Sequence, residues 1–356
     1  MFRREDLPDD PKQWDRIFLQ VMGSPDPNGR QLDGMGGGLS SLSKICVVGP
    51  SSRRDADVDY TFAQIAIKEA LVDYGGNCGN MAAAVGPFAV EEGIVSGRPD
   101  GEAVVRVYNT NTSKMIVSRF PVVGGTLAAD GNFEIDGVAG AAAPIRLEFL
   151  DPGGAKTGAL LPTGAARNDL DVPALGRIEV SCVDAANPCV FVAARDLGKT
   201  GVELPDELER DASFLHRMEE IRRAASVCMG LASMASIPKV AMVCAPQAAP
   251  SLSGRSLTAS QVDICIRMIS VGQPHRAVPI TGAICLAVAA RVPGTIPYDL
   301  CTASSGPIRI GHSSGTTMVD AAVAADITGG TMRAKYGAVY RSARRLFDGS
   351  VLYRVE

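Results

Sequence analysis

Asn80-Met-Ala-Ala-Ala-Val-Gly-Pro-Phe-Ala-Val90 and Val278-Pro-Ile-Thr-Gly-Ala-Ile-Cys-Leu-Ala-Val-Ala-Ala290 are the two stretches on which the fold turns. Each is long enough for a short helix and apolar nearly all round. A helix with no polar face has to be enclosed by other structure. The segments on either side are short apolar runs separated by Gly, Pro, Asn and Asp, which is the pattern of strands joined by tight turns. We read strands over 44–48, 58–67, 104–108, 115–122 and 145–150 around the first stretch. Around the second they fall at 178–183, 190–194, 239–244 and 262–269. An α+β chain with a curved sheet wrapped round a central apolar helix, twice over, is the architecture this pattern implies.

Two further helices are expected. Asp10 is a capping residue ahead of Pro11, and Trp14, Ile17, Phe18 and Val21 follow at helical spacing. A charged helix reads from about 205 to 235. The two halves can also be laid on each other. Gly76-Asn-Cys-Gly-Asn80 then faces Gln273-Pro-His-Arg-Ala277, and Arg106-Val-Tyr-Asn-Thr-Asn-Thr112 faces Arg309-Ile-Gly-His-Ser-Ser-Gly315. Upstream, Lys44-Ile-Cys-Val-Val48 is matched with Pro188-Cys-Val-Phe-Val192.

Composition narrows the class of function. At 356 residues with 46% hydrophobic and 21% charged, the chain can bury a core, which excludes disorder as its dominant state. Thirty-five Lys+Arg against 39 Asp+Glu, with no long like-charge run, exclude a broad basic surface for nucleic acid. No apolar run reaches the roughly 18 residues of a membrane span, and the first residues carry no apolar signal region. The nine cysteines include no C-x-x-C pair, and Cys46, Cys189 and Cys285 sit in apolar runs as small hydrophobes. A reducing cytoplasm is the expected location.

Several motifs fail on inspection. Gly34-Met-Gly-Gly-Gly-Leu39 lacks the third glycine of a dinucleotide fingerprint, and Gly198-Lys-Thr200 lacks the first glycine of a phosphate loop. His216, His275 and His312 show no metal-ligand spacing, so no metal is expected. Gly311-His-Ser-Ser-Gly315 matches the letters of a nucleophile elbow, but no histidine follows Ser313 to serve it.

Cys78 stands apart from the other cysteines. It lies in Gly75-Gly-Asn-Cys-Gly-Asn80, a loop too glycine-rich for a core strand, at the mouth of the first apolar helix. Free amides and a helix dipole there would favour a thiolate and admit a carboxylate; a capping turn with an incidental cysteine is the plainer reading. Lys44 opens an apolar strand, either as a solvated residue or as a partly desolvated base. Asn109-Thr-Asn-Thr112 and His312-Ser-Ser-Gly-Thr-Thr317 are polar clusters at strand ends, rich in donors for carboxylate oxygens.

Taken together, these segments resemble the PrpF family of methylaconitate, methylitaconate and oxalomesaconate isomerases and tautomerases. The resemblance is carried by Asp33-Gly-Met-Gly-Gly37, Ser41-Leu-Ser-Lys44, Asp59-Tyr-Thr-Phe-Ala-Gln64, Gly75-Gly-Asn-Cys-Gly-Asn80 and Gly86-Pro-Phe-Ala89. Asp184-Ala-Ala-Asn-Pro188, Gly272-Gln-Pro-His-Arg276 and Gly311-His-Ser-Ser-Gly315 extend it over essentially the whole chain. It implies a diaminopimelate-epimerase-like fold of two pseudo-symmetric domains, about 1–165 and 166–356, with the active site between them and residues 350–355 returning to the first as a strand. It also implies proton transfer by Lys44 and Cys78, no cofactor, and unsaturated di- or tricarboxylate substrates. Epimerases of this fold use two cysteines; at the second position this chain has His275. Family members begin with a strand carrying Arg-Gly-Gly-Thr-Ser-Lys-Gly just before the counterpart of Phe2-Arg-Arg-Glu-Asp-Leu-Pro8, and here that strand is expected to be missing. His312-Ser-Ser-Gly315 replaces the more usual His-Pro-Ser-Gly.

The expected activity is therefore allylic isomerisation of an aconitate, methylaconitate, methylitaconate or oxalomesaconate type of substrate. Ser43, Asn77, Gly79, Asn80, Asn109, His275, His312, Ser313, Ser314, Gly315 and Thr316 are the expected binding residues. The alternative is a non-catalytic carboxylate-binding protein that assists an aconitase-like partner. The expected partner of either is a small unsaturated polycarboxylate, with no nucleic acid and no membrane; a homodimer completes the expectations.

Overall fold

The computed structural model describes residues 1–75, 78–173, 175–231, 237–270, 272–325 and 332–354. The chain divides into two compact units. One comprises Met1–Phe133, Ala141–Leu147 and Arg341–Glu356; the other comprises Glu134–Gly140 and Glu148–Tyr340.

In the first unit Asp10 accepts from the Lys12 amide and Pro11 opens a single 3-10 turn, as capping chemistry requires. Helix α1, Trp14–Met22, follows and ends at Gly23, whose φ of +73° suits glycine. It buries Trp14, Ile17, Phe18 and Val21 against Ile45, Val47, Ala63 and Ile65 of the sheet. That sheet sets Phe2–Arg3 parallel to Lys44–Pro50, which pairs antiparallel with Val58–Ile65. Val58–Ile65 runs parallel to Gly101–Asn109, and this strand turns back as Lys114–Val123.

The first apolar stretch is two helices rather than one. Helix α2 covers Gly79–Ala82 and helix α3 covers Val85–Glu91. Pro87 is the cause. It has no N–H to give, and its ring would collide with the carbonyl four residues back. Restarting at Val85 puts Pro87 in the first turn of α3, where no amide is needed. Helix α3 then buries Val85, Pro87, Ala89 and Val90 among the strands. Residues 342–354 belong to this unit but form no strand. Val351 packs beside the α1 cluster, and the Arg354 amide donates to Gln20 Oε1 at 2.6 Å, so side chains take the place of a ladder.

The second unit orders its strands as Asn168–Val172, Gly176–Ala185, Asn187–Ala193, Lys239–Cys244, Ile264–Ser270, Ile308–His312, Gly315–Ala325 and Met332–Arg341. The charged helix is broken into α4, Pro205–Arg210, and α5, Ala212–Cys228. Asp211 makes the break: its backbone leaves the helical region and its carboxylate caps α5 by accepting from the Phe214 amide at 2.8 Å. The expected extension to 235 ends in residues outside the described ones. Helix α6, Ile280–Ala289, is the second apolar stretch, buried from Gly282 onward. It packs on Gly176–Ala185 and Asn187–Ala193 near one end of the strand order and on Gly315–Ala325 near the other. A sheet that touches one helix with both its ends is curled round it. This is the α+β arrangement of a curled sheet round an apolar helix that the sequence pattern implies.

The internal repeat is real, with one correction. The counterpart of Lys44–Pro50 is Lys239–Cys244, not the strand at Pro188. Each follows a helix, runs parallel to an earlier strand, pairs antiparallel with a long strand, and is succeeded by a two-residue strand and an apolar helix. The same ion pair marks both copies. Arg106 and its amide bind Asp57, and Arg309 and its amide bind Asp263. Pro188 misled because its strand stands parallel to the lysine strand and shares its apolar character. Among the described residues, no helix is long and apolar enough to cross a membrane.

Candidate active site

Two side chains meet in the first unit. Lys44, the first residue of its strand, donates from Nζ to Cys78 Sγ at 3.3 Å. Both are half-buried, whereas Cys46 and Cys182 are enclosed and burial pushes their thiols up to about 12. A cavity of about 910 Å³ in this unit reaches Lys44 between Leu42, Ile45, Pro87 and Phe88.

The backbone that carries Lys44 is held by two glutamines. Gln64 Nε2 donates to the carbonyls of Ser40 and Ser43. Gln31, buried and at a φ of +52°, donates to the hydroxyls of Ser24 and Ser43 and accepts from the Gly38 amide. Ser43 is fully buried, so its hydroxyl serves this frame. The loop carrying Cys78 is tied at its base by Asn111, which binds the Phe62 amide and the carbonyls of Phe62 and Tyr74.

Cys78 is the N-cap of α2 and its carbonyl accepts from the Ala82 amide, but α2 has only four residues. The dipole invoked from the sequence is therefore that of a single turn. Gly79 opens this turn. Asn80 accepts from Arg341 Nε at 3.1 Å, so a guanidinium lies two residues beyond Cys78. Burial lowers the Arg341 guanidinium from its ordinary value. Asn77 lies outside the described residues. Asn109 is buried and its Oδ1 accepts from the Thr112 amide, capping its own turn.

The remaining expected residues gather in the second unit. Ser313 and Ser314 are the two-residue turn between Ile308–His312 and Gly315–Ala325, a strand–turn–strand that no nucleophile elbow adopts. His312 Nδ1 accepts from the Ser314 amide, so its proton sits on Nε2, 2.8 Å from Thr317 Oγ1. Ser314 donates to the Arg276 carbonyl at 2.8 Å, while the buried Ser313 hydroxyl has no partner among the described residues. The amide and hydroxyl of Thr316 already hold a carboxylate, that of Asp136, which also binds Arg255. Gly315, at a φ of +132°, makes room for it; a Cβ there would lie 2.2 Å from Asp136 Oδ2. His275 donates its amide to Met268, and its Nε2 is buried without a partner among the described residues. Burial, and then the charge of Lys239, pull the His275 pKa below its ordinary value.

Sequence reasoning missed Gln31, Arg341, Asp136 and Lys239. Asp136 binds a hairpin residue that was singled out, yet carries no spacing cue of its own. Lys239 could have been found, since it opens an apolar strand just as Lys44 does.

In the first unit an amine thus touches a thiol at a loop mouth, beside a sheet of mixed strands. The family described as PrpF protein matches residues 1–354. The chain is 38% identical to 2-methyl-aconitate isomerase of Cupriavidus necator, covering 98% of this chain and 92% of that protein. It is 39% identical to 3-methylitaconate isomerase of Eubacterium barkeri, covering 97% and 91%. A crystal structure of methylitaconate-delta-isomerase superposes with a TM-score of 0.89 at 38% identity, over 98% of this chain and 91% of that one. The chain belongs to the PrpF family. Its activity is that of an isomerase.

Proposed function

We propose that this isomerase moves a proton along the allylic system of an unsaturated di- or tricarboxylate, of the aconitate, methylaconitate, methylitaconate or oxalomesaconate type. The observation that carries the reading is the 3.3 Å contact between Lys44 and Cys78. In the cycle, the Lys44 amine removes the proton γ to the carboxylate, leaving an extended dienolate. Cys78 returns a proton from its thiol, at the α carbon for double-bond migration, or at the original carbon after rotation for cis-trans exchange. Lys44 is then an ammonium and Cys78 a thiolate. Their direct contact lets the proton cross from Nζ to Sγ and restores both groups. Arg341 and the turn at Gly79 offer positive potential for the carboxylate and the developing enolate. The nine free thiols suit a reducing cytoplasm.

The test is incubation of the protein with methylaconitate, cis- and trans-aconitate, methylitaconate and oxalomesaconate in heavy water, followed by proton NMR. Isomerisation of at least one, with deuterium entering at the α or γ carbon, is the expected result. Binding without turnover or exchange across the panel overturns the reading in favour of an accessory carboxylate-binding protein.

A further inference from the structure

Cys244 and Cys265 face each other in the second unit. Cys244 ends the strand Lys239–Cys244, and Cys265 stands directly opposite it on Ile264–Ser270 in the antiparallel register. Residues so placed have Cα atoms about 4.5–5.5 Å apart, within the range a disulfide spans, and their side chains leave the same face of the sheet. Two glycines leave room for the sulfurs. A Cβ on Gly201 would lie 2.6 Å from Cys244 Sγ, and one on Gly311 would lie 3.1 Å from Cys265 Sγ. Cys265 is buried in a small apolar cluster with Ala249, Leu257 and Val262, and the half-buried Cys244 packs against that cluster. Gln247 Nε2 donates to Cys244 Sγ at 3.0 Å.

A buried cation stands beside the pair. Arg267 lies two residues beyond Cys265, hence on the same face of its strand, and is 2% exposed. Its guanidinium donates to the carbonyls of Val202, Glu203 and Ile266, and among the described residues it makes no ion pair with a carboxylate. A buried charge without a counter-charge is costly. Of the acidic groups that act on Arg267, Cys265 comes first and Cys244 second. The hydrogen bond from the Cys244 thiol lowers the Cys265 thiol against burial, and the Gln247 amide and the Arg267 charge lower it further; Cys244 is raised in turn. Together these favour one thiolate held between two sulfurs.

We propose that Cys244 and Cys265 are a redox-active thiol pair that peroxide closes to a reversible disulfide. The half-buried Cys244, its proton released to solvent, attacks one peroxide oxygen as the thiolate. The O–O bond breaks, hydroxide leaves, and Cys244 becomes a sulfenic acid. Hydroxide takes the Cys265 proton and becomes water. The Cys265 thiolate then attacks the Cys244 sulfur, the S–S bond forms, and the S–O bond breaks to release a second hydroxide, which takes up the first proton. Two thiols have lost two electrons, and one peroxide has been reduced to two waters. A dithiol reverses the change by exchange, becoming a disulfide itself. In a reducing compartment such a bond is transient and registers an oxidant. The pair makes no use of the isomerase reading and stands or falls apart from it.

Trypsin separates the two cysteines. Cys244 is the one cysteine of the fragment 240–255, and Cys265 is the one cysteine of the fragment 256–267. The folded full chain is treated with graded hydrogen peroxide, remaining thiols are blocked with iodoacetamide, and the unreduced peptides are read by mass spectrometry. The two fragments should appear joined, two hydrogens lighter than their sum, on a chain that runs as a single copy on a non-reducing gel. This should happen at a dose roughly tenfold below the one that oxidises the exposed Cys228. Dithiothreitol should return both as thiols that iodoacetamide blocks. Cys265→Ser, with folding verified by circular dichroism, should stop Cys244 at the sulfenic acid, which dimedone traps. No joined fragments, joining only between two chains, or joining only at the dose that oxidises Cys228 overturns the proposal. The readout is a mass, so it decides on the pair whether or not the parent isomerises any substrate of the panel.

Discussion

Gln31 Nε2 donates to Ser43 Oγ at 2.8 Å, one residue before the lysine of the candidate site. The same amide reaches Ser24, and Oε1 receives the Gly38 amide, so one buried side chain closes the loop from 24 to 43. Gln31→Leu keeps the bulk and leaves these groups unsatisfied. It should cost about 2–3 kcal/mol in urea denaturation and lower turnover by loosening Lys44. Gln31→Gly relieves the positive φ yet removes the same bonds, so it should destabilise less than Gln31→Leu while impairing turnover to a similar degree. A Gln31→Leu protein with parental stability and rate would show that the loop is held by other means.

Helix α3 touches the sheet where it has no side chain. A Cβ on Gly86 would lie 2.5 Å from Ser118 Oγ and 2.9 Å from Phe120 Cε1, in a wall of buried residues. Gly86→Ala should therefore destabilise by about 1–3 kcal/mol through overpacking. Adding Ser118→Ala should recover only part of this, because Ser118 Cβ itself stays 2.8 Å away. Thermal melts of the two single variants and the double variant test the coupling.

What could be read from the sequence and what could not separate along one physical line. Features local in the chain were legible: the apolar stretch that becomes α6, the cap at Asp10, the strand at 239–244 and the glycine loop around Cys78. Strands rich in Ala and Gly, such as Gly315–Ala325, gave no alternation strong enough to register. Long-range pairings were invisible, since Arg341 and Asn80 are 261 residues apart, and Asp136 and Thr316 are 180 apart. The donors of Thr316, expected to hold a substrate carboxylate, hold that of Asp136, because sequence cannot tell a substrate's carboxylate from one supplied by the chain.

Asp57–Arg106 and Asp263–Arg309 predict a common pH dependence. Arg106 holds the Asp57 carboxyl below its usual range by hydrogen bonding. At Asp263 burial acts upward, but the bonds and charge of Arg309 outweigh it and the net shift is downward. A depressed carboxyl stabilises the fold above its unfolded value and loses that contribution as pH falls through the folded value. Asp263→Asn should thus cost about 1–2 kcal/mol at pH 7, allowing for a half-exposed guanidinium. The gap to the parent should close below about pH 4. Asp57→Asn should follow the same course. Urea midpoints from pH 2.5 to 7 test both, and a gap independent of pH would mean the carboxylate charge contributes nothing.

The contact between Lys44 and Cys78 makes the sharpest claim about chemistry. If Lys44 removes the proton and Cys78 returns one, the two half-reactions should separate by mutation. Lys44→Met deletes the base, so both isomerisation and exchange of the γ proton with heavy water should fall by roughly 10²- to 10⁴-fold. Cys78→Ser keeps the shape and replaces the thiol with a far weaker acid. Isomerisation should fall by a similar factor, while exchange at the γ carbon survives better, since Lys44 can still remove that proton and return a deuteron. The reverse pattern, with exchange lost in Cys78→Ser and retained in Lys44→Met, would assign the base to sulfur and the acid to nitrogen. Near-parental isomerisation in both variants would move the chemistry to another residue, and His275 is the next to substitute.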